Sequence, residues 1–260
     1  MTAVDLNSDL GESFGAWTMG MDEDVMNFIS SSNIACGWHA GDAGTMIRTV
    51  RAAKARNVAM GAHPGYPDLL GFGRRNITCT PDEVYAYTLY QAGAMMGVCA
   101  SEGVELQHVK PHGAMYNQAA KDPRLAAAIA HAVKGLGGGV ILMGPAGSAF
   151  ESAASEQGVP FAAEVFADRG YMADGSLAPR DEPGAFIHDP DEAAARMLKL
   201  VREGTLETRD GRILKLKAHS ICIHGDNPAA VKMAEVVKTT LETNGVAVKN
   251  LREVLRTWYQ

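Results

Sequence analysis

Cysteine is scarce in this sequence: Cys36, Cys79, Cys99 and Cys222 are the only four in 260 residues. No two form a C-x-x-C pair, which speaks against a thioredoxin-like motif or a structural zinc site. Isolated thiols in a chain of this length fit a reducing cytoplasm, the expected location. No apolar run reaches ~18 residues, so no membrane span is expected. Residues 1–11 are neither basic nor apolar enough to read as a signal peptide. Positive charge is not in excess: Lys and Arg total 24 against 30 Asp and Glu, a net charge of −6. That balance argues against nucleic acid or an anionic membrane as the main partner. Both glycine signatures of nucleotide binding, G-x-G-x-x-G and G-x-x-x-x-G-K-[ST], are missing. So are linkers, low-complexity tracts and internal repeats, and residues 1–260 are expected to form one domain.

What is present is an alternation of short apolar runs and helical segments. Candidate strands cover 4–7, 33–36, 58–62, 105–109, 140–143, 161–166 and 220–223. They are the four- to six-residue runs expected of strands buried on both faces. Thr80-Pro81-Asp82-Glu83 combines an N-cap, a proline at the first helical position and a capping-box glutamate. Asp189-Pro190-Asp191-Glu192 repeats it, and Asp122-Pro123 and Asn227-Pro228 are shorter versions. Gly103, Gly135, Gly204 and Gly245 are the matching C-terminal stops. A further helix is expected over 43–56, and Arg209-Asp210-Gly211 marks a hairpin at about 205–217. Repeated β-loop-α units imply parallel strands with right-handed crossovers. Seven strands without a nucleotide fingerprint fit a closed parallel (β/α) barrel better than an open sheet.

The chemistry-bearing residues gather where strands give way to loops. The first strand leads into Asn7, Asp9 and Glu12, the second into His39 and Asp42, and the third into His63. The fourth ends in Lys110 and His112, the sixth carries Glu164 and leads to Asp168 and Arg169, and the seventh leads to His224 and Asp226. In an α/β barrel these carboxyl ends build the active site. Asp42 and Asp226 also read as helix N-caps. Lys110 faces inward by strand phase, two residues from His108 on the same face, and an inward lysine needs partners because burying its charge is costly. His108, His131 and His188 carry no assigned role. The glycine-rich turn at 144–148 reads either as an anion site at a helix start or as an ordinary βα turn. Several Asp and His side chains around one pocket could also bind a divalent metal.

The motifs resemble one family throughout. They are Asp5-Leu6-Asn7-Ser8-Asp9-Leu10-Gly11-Glu12, Asn33 to Asp42, and Gly61-Ala62-His63-Pro64 running on to Asp68. Gly71-Phe72-Gly73-Arg74-Arg75, His108 to Asn117, Glu164 to Tyr171 and Ile223-His224-Gly225-Asp226 continue the series. In this order, over nearly the whole chain, they resemble the family of the A subunit of bacterial 5-oxoprolinase, also called the lactam-utilisation family.

The resemblance implies a distorted seven-stranded (β/α) barrel related to glycoside hydrolases and polysaccharide deacetylases. It implies ATP-driven opening of 5-oxo-L-proline to L-glutamate, together with partner B and C subunits. Asp9, His63, Lys110 and His112 are the expected catalytic residues. Asn7, Glu12, His39, Asp42, Glu164, Asp168, Arg169, His224 and Asp226 are the expected substrate contacts. Phosphorylation of the lactam oxygen followed by water attack would need cations, for which Lys110 and Arg169 are candidates. It would need a base, from Asp9, His63 or His112, and oxyanion donors, from Asn7 and His224. ATP with magnesium is the expected cofactor, bound here or on one of the partners. No tightly held structural metal is expected, because no closed four-ligand Cys/His set exists. Replacing Lys110 by alanine is expected to cut turnover at least ~100-fold with little effect on folding. The long, aromatic, glycine-flanked loop 66–75 reads as a lid or docking element. The competing readings are a metal-dependent deacetylase or amidohydrolase acting alone, and a non-catalytic lactam-binding scaffold.

Overall fold

The computed structural model describes residues 2–224 and 228–258. In chain order the elements are β1 (Ala3–Leu10), α1 (Asp22–Val25), β2 (Ser31–Ala35), α2 (Ala43–Ala55), β3 (Ala59–His63), α3 (Pro81–Ser101), β4 (Leu106–Val109), α4 (Gly113–Ala119), α5 (Pro123–Leu136) and β5 (Ile141–Pro145). There follow α6 (Ala149–Gln157), β6 (Phe161–Phe166), α7 (Pro190–Glu203), β7 (Thr205–Glu207), β8 (Ile213–Lys215), β9 (Ser220–Cys222), α8 (Pro228–Thr243), β10 (Ala247–Val248) and α9 (Leu251–Trp258).

Strands β1 to β6 pair in sequence order, all parallel, and β9 closes the ring by pairing with both β6 and β1. The result is a closed seven-stranded parallel barrel. Its closing seam is shared: the start of β1 pairs with the two-residue β10, and the next residues of β1 pair with β9. The small β7–β8 hairpin is antiparallel and stands outside the barrel, turning through Gly211 at φ 79.

The capping box at Thr80 forms as the sequence implies, with the hydroxyl accepting from Glu83 N and the Glu83 carboxylate accepting from Thr80 N. Asp122 and Asp189 cap α5 and α7. The stop at Gly135 is displaced. Gly135 stays inside α5, and the chain leaves the helix at Gly137, the first of three consecutive glycines with positive φ. Gly135 ends nothing because the chain leaves the helix two residues later, at Gly137 with φ 69 and ψ −161, a conformation open to glycine. No described helix is long and apolar enough to cross a membrane.

Period-two alternation separates two environments. Leu6, Ile34, Ala62, Val109, Leu142, Val165 and Ile221 belong to the apolar layer between strands and helices. Burying each of the larger ones contributes about 1.5–3 kcal/mol. The alternate positions fill the barrel. At one end Ile141, Met143 and Ala162 pack against Leu251 and Leu255 of α9, so that helix plugs the barrel. The rest of the interior is mostly polar: Asp5, Asn7 and Asp9 from β1, Asn33 from β2, His108 from β4, Glu164 from β6 and Ser220 from β9, with Phe166 and Cys222 beside them. Barrel interiors are usually layers of branched aliphatic residues; here a polar column leads up to the carboxyl ends.

Candidate active site

Pairing register brings the polar column together. Asp9 lies opposite Asn33, Asn33 opposite Gly61, and Gly61 opposite His108. Gly61 has no side chain because the His108 ring occupies the space a Cβ would take. His108 Nε2 is 2.7 Å from Asn33 Oδ1. Asn33 in turn donates to Asn7 Oδ1 at 2.7 Å and Asp9 Oδ1 at 2.8 Å. His108 is therefore a packed support, in line with the absence of any role for it in the sequence reading.

Lys110 sits at the head of this column. Its ammonium lies 2.9 Å from Asp9 Oδ1, 2.8 Å from Glu164 Oε1 and 3.2 Å from Cys222 Sγ. Burial alone would lower the ammonium, but the Asp9, Cys222 and Glu164 charges outweigh it and hold Lys110 well above the ordinary lysine range. Asp9 is the mirror case. Burial pushes its carboxyl up, and His63 and Lys110 more than reverse this, so it stays ionised well below the usual range. Glu164 also accepts from the Tyr116 hydroxyl at 2.6 Å. Neither Tyr116 nor Cys222 was expected at the site; β9 brings Cys222 to Lys110, and α4 brings Tyr116 to Glu164.

Beside this pair stands a histidine cluster. His63 Nε2 is 3.0 Å from His112 Nδ1 and 3.4 Å from Asp9 Oδ2. The His39 ring stacks flat on His112, centroids 3.7 Å apart and planes within 5°. His39 Nε2 reaches Glu12 Oε1 at 3.2 Å. Phe72 caps the cluster edge-on against both rings, and its carbonyl accepts from His112 Nε2 at 2.8 Å. The loop 66–75 is thus a fitted wall of the site: Tyr66 is fully buried, Gly73 O accepts from Ala114 N, and Arg75 is ion-paired with Asp68. Burial, and then the neighbouring His63 charge, push His39 well below the usual histidine range. Burial and His39 do the same to His112. Burial raises Glu12.

A cavity of about 720 Å³ opens beside them at the carboxyl ends of the strands. Asp9, Glu12, His63, Lys110, His112, Arg169 and His224 all reach it, as do Phe72 and Arg74. His224 Nδ1 is 2.5 Å from Asp168 Oδ2; burial lowers the imidazole, and Asp168 more than compensates, so it is raised overall.

Five expected contacts do not line the cavity: Asn7, His39, Asp42, Glu164 and Asp168. Asn7 and Glu164 lie beneath the cavity, not on its surface, and Asn7 Nδ2 is already donating to Ser220 Oγ at 2.7 Å. Asp42 caps α2, accepting from Thr45 N at 2.9 Å and Gly15 N at 3.0 Å, and does not line the cavity. Arg169 lines the wall, but its guanidinium donates to the Ala185 and Ala178 carbonyls and stacks on Phe186. It is a structural clamp. Asp226 lies outside the described residues. The turn at 144–148 is an ordinary βα turn away from the cavity: Ser148 N donates to Pro145 O and Ala149 N to Ala120 O. Among residues the sequence passed over, Arg74 is an exposed cation at the rim, stacked 4.9 Å from the Phe72 ring centroid.

Comparison with known proteins agrees with this architecture. The LamB/YcsF family profile matches residues 4–256. A Syntrophobacter fumaroxidans protein, named as the A subunit of 5-oxoprolinase, is 54% identical over 94% of this chain and 97% of its own. The protein of that name from Pyrococcus horikoshii is 49% identical over 97% of this chain and 99% of its own. The crystal structure of a lactam utilization protein from Thermus thermophilus superposes with a TM-score of 0.91 at 46% identity, covering 95% of this chain and 99% of that one. Matched in sequence and in fold over almost its whole length, the chain belongs to the LamB/YcsF family.

Proposed function

We propose that the chain is the A subunit of an ATP-dependent 5-oxoprolinase, opening 5-oxo-L-proline to L-glutamate with partner B and C subunits. The name shared by relatives at about half identity supports the reaction class. The observation that carries the reading to this cavity is the Lys110–Asp9 ion pair, a carboxylate kept ionised beside His63 and His112.

A five-membered lactam is a stable amide. Transfer of the γ-phosphoryl group of ATP to the lactam oxygen gives ADP and an activated imidate carbon. Water adds there, giving up a proton to a base, and the ring C–N bond breaks as the nitrogen is protonated. The resulting acyl phosphate takes a second water to yield glutamate and phosphate. Asp9 is the base for water, with Lys110 and Asn33 fixing its Oδ1 and leaving Oδ2 toward His63. A preorganised charge of this kind, aimed at a developing one, is worth about 10²–10³ in rate. His224, held by Asp168, is the proton donor for the leaving nitrogen. Arg74 at the rim meets the phosphoryl charge, the role first expected of Arg169.

Magnesium accompanies ATP. A phosphorylated lactam is labile in bulk water, which favours delivery across a covered mouth. Trp17 and Leu70, exposed by 73% and 97%, stand on the loops after β1 and β3 and form an apolar docking rim for a partner. The consumption of ATP places the reaction in the cytoplasm. Glutamate release from 5-oxoproline plus ATP, by the chain alone and with the B and C subunits added, tests the proposal. The histidine cluster favours one second reading, a metal-dependent amidohydrolase acting alone, which would release product without ATP.

A further inference from the structure

We infer that His63, His112 and Glu12 form an open binding site for a divalent transition metal of the zinc class. The argument starts from hydrogen-bond polarity. His63 Nδ1 is 2.7 Å from the Lys110 carbonyl, and His112 Nε2 is 2.8 Å from the Phe72 carbonyl. A carbonyl only accepts, so each of these outer nitrogens carries its hydrogen. In the neutral rings the inner nitrogens, His63 Nε2 and His112 Nδ1, are then both lone pairs, and they face each other at 3.0 Å. Two lone pairs at that distance need a cation between them, either a proton or a metal ion.

The surroundings favour the metal ion. Backbone carbonyls holding the far N–H of each imidazole are the usual outer support of metal-bound histidine. Glu12 Oε1 lies 3.7 Å from His112 Nδ1, and Asp9 Oδ2 lies 3.4 Å from His63 Nε2. Metal–ligand bonds of ~2.0–2.1 Å in a tetrahedron give ligand–ligand edges of about 3.3 Å, so these separations are already of the right size. Two imidazoles and one carboxylate, with a fourth position open to a cavity, form a donor set of catalytic zinc. Glu12, His39, His63 and His112 each place a ligand atom within 4.8 Å of the others. His39 is nevertheless not a ligand together with His112. Two rings stacked parallel at 3.7 Å point their in-plane lone pairs along separate planes, which do not meet at one ion. His39 instead positions Glu12 through Nε2.

The sequence lacks a closed Cys/His set, and that observation stands; the fold assembles an open one from the ends of β1, β3 and β4. This inference concerns the cavity of the proposed reaction, and its test reads metal binding alone, so either can fail without the other. The purified chain is stripped with a chelator and titrated with Co²⁺, then Zn²⁺. One Co²⁺ per chain is expected, with visible d–d absorption that one equivalent of Zn²⁺ removes. His63→Gln, His112→Gln and Glu12→Gln should each weaken Zn²⁺ binding by at least ~100-fold, the upper end of losing an outer support alone. His131→Gln should not. X-ray absorption on the unmodified Zn²⁺-loaded chain, expected to show two imidazole ligands, covers the case of variants that fail to fold. No stoichiometric Co²⁺ or Zn²⁺ binding, binding unchanged in the variants, or a zinc shell without imidazole would overturn the inference.

Discussion

Lys110 Nζ and Asp9 Oδ1 meet at 2.9 Å across 101 residues of sequence, tying the end of β4 to the end of β1 at the wall of the cavity. Lys110 is also the counter-ion of Glu164, whose side chain is fully buried. Removing it therefore does more than remove a catalytic charge. Lys110→Ala is expected to cut turnover at least ~100-fold. It should also destabilise the fold by about 3–5 kcal/mol, because uncompensated carboxylates remain buried. This revises the expectation of a nearly unchanged fold. Adding Glu164→Gln to Lys110→Ala should recover part of the stability in urea denaturation and none of the activity. Equal stability of wild type and Lys110→Ala would contradict the account.

Asp42 offers the opposite test. Its carboxylate is spent on Thr45 and Gly15 at the start of α2. Asp42→Ala should cost about 1 kcal/mol, the usual value of a lost N-cap, and leave kcat/KM unchanged. A large fall in kcat/KM without a change in stability would return Asp42 to the site.

Burial raises the Asp5 carboxyl from 3.8 to about 6, against the hydrogen bonds it accepts from Ser220, Ser31 and Ser30. The folded chain holds that proton more tightly than the unfolded chain. Its stabilising contribution is full below the unfolded value and is lost as pH rises through the folded one. The shift corresponds to about 3 kcal/mol. Denaturation series at ~pH 4 and ~pH 7 should show wild type losing stability relative to Asp5→Asn as pH rises. Parallel profiles would show that Asp5 does not titrate in this window.

His224 is raised because the attraction of Asp168, and their hydrogen bond, outweigh burial. Asp168→Asn should lower it, moving its imidazole titration in NMR to more acidic pH. An unmoved titration would remove Asp168 as its holder.

Much of this site was legible in the sequence because strand phase is a strong signal. Asp5, Asn7 and Asp9, or His108 and Lys110, stand two residues apart along a strand and must share a face. Gly113 beside His112, at φ 54, marks the sharp turn between strand and helix. The division of labour within the pocket was not legible. Arg169 faces the cavity wall, yet its hydrogen bonds go to Ala178 and Ala185 in a loop whose path no local pattern encodes. Asn7 is committed to Ser220, 213 residues away, through barrel closure. Helix α4 begins at His112 without a side-chain cap, so its start gave no polar marker.

The central claim is that this cavity opens 5-oxoproline at the expense of ATP when the partners are present. The direct measurement is L-glutamate formed from 5-oxo-L-proline and ATP·Mg²⁺ by the purified chain, alone and with the B and C subunits titrated in. The account predicts negligible glutamate from the chain alone, ATP-dependent glutamate with the partners, and loss of that activity in Asp9→Asn with assembly intact. Substantial glutamate from the chain alone, or full activity of the complex carrying Asp9→Asn, would contradict it.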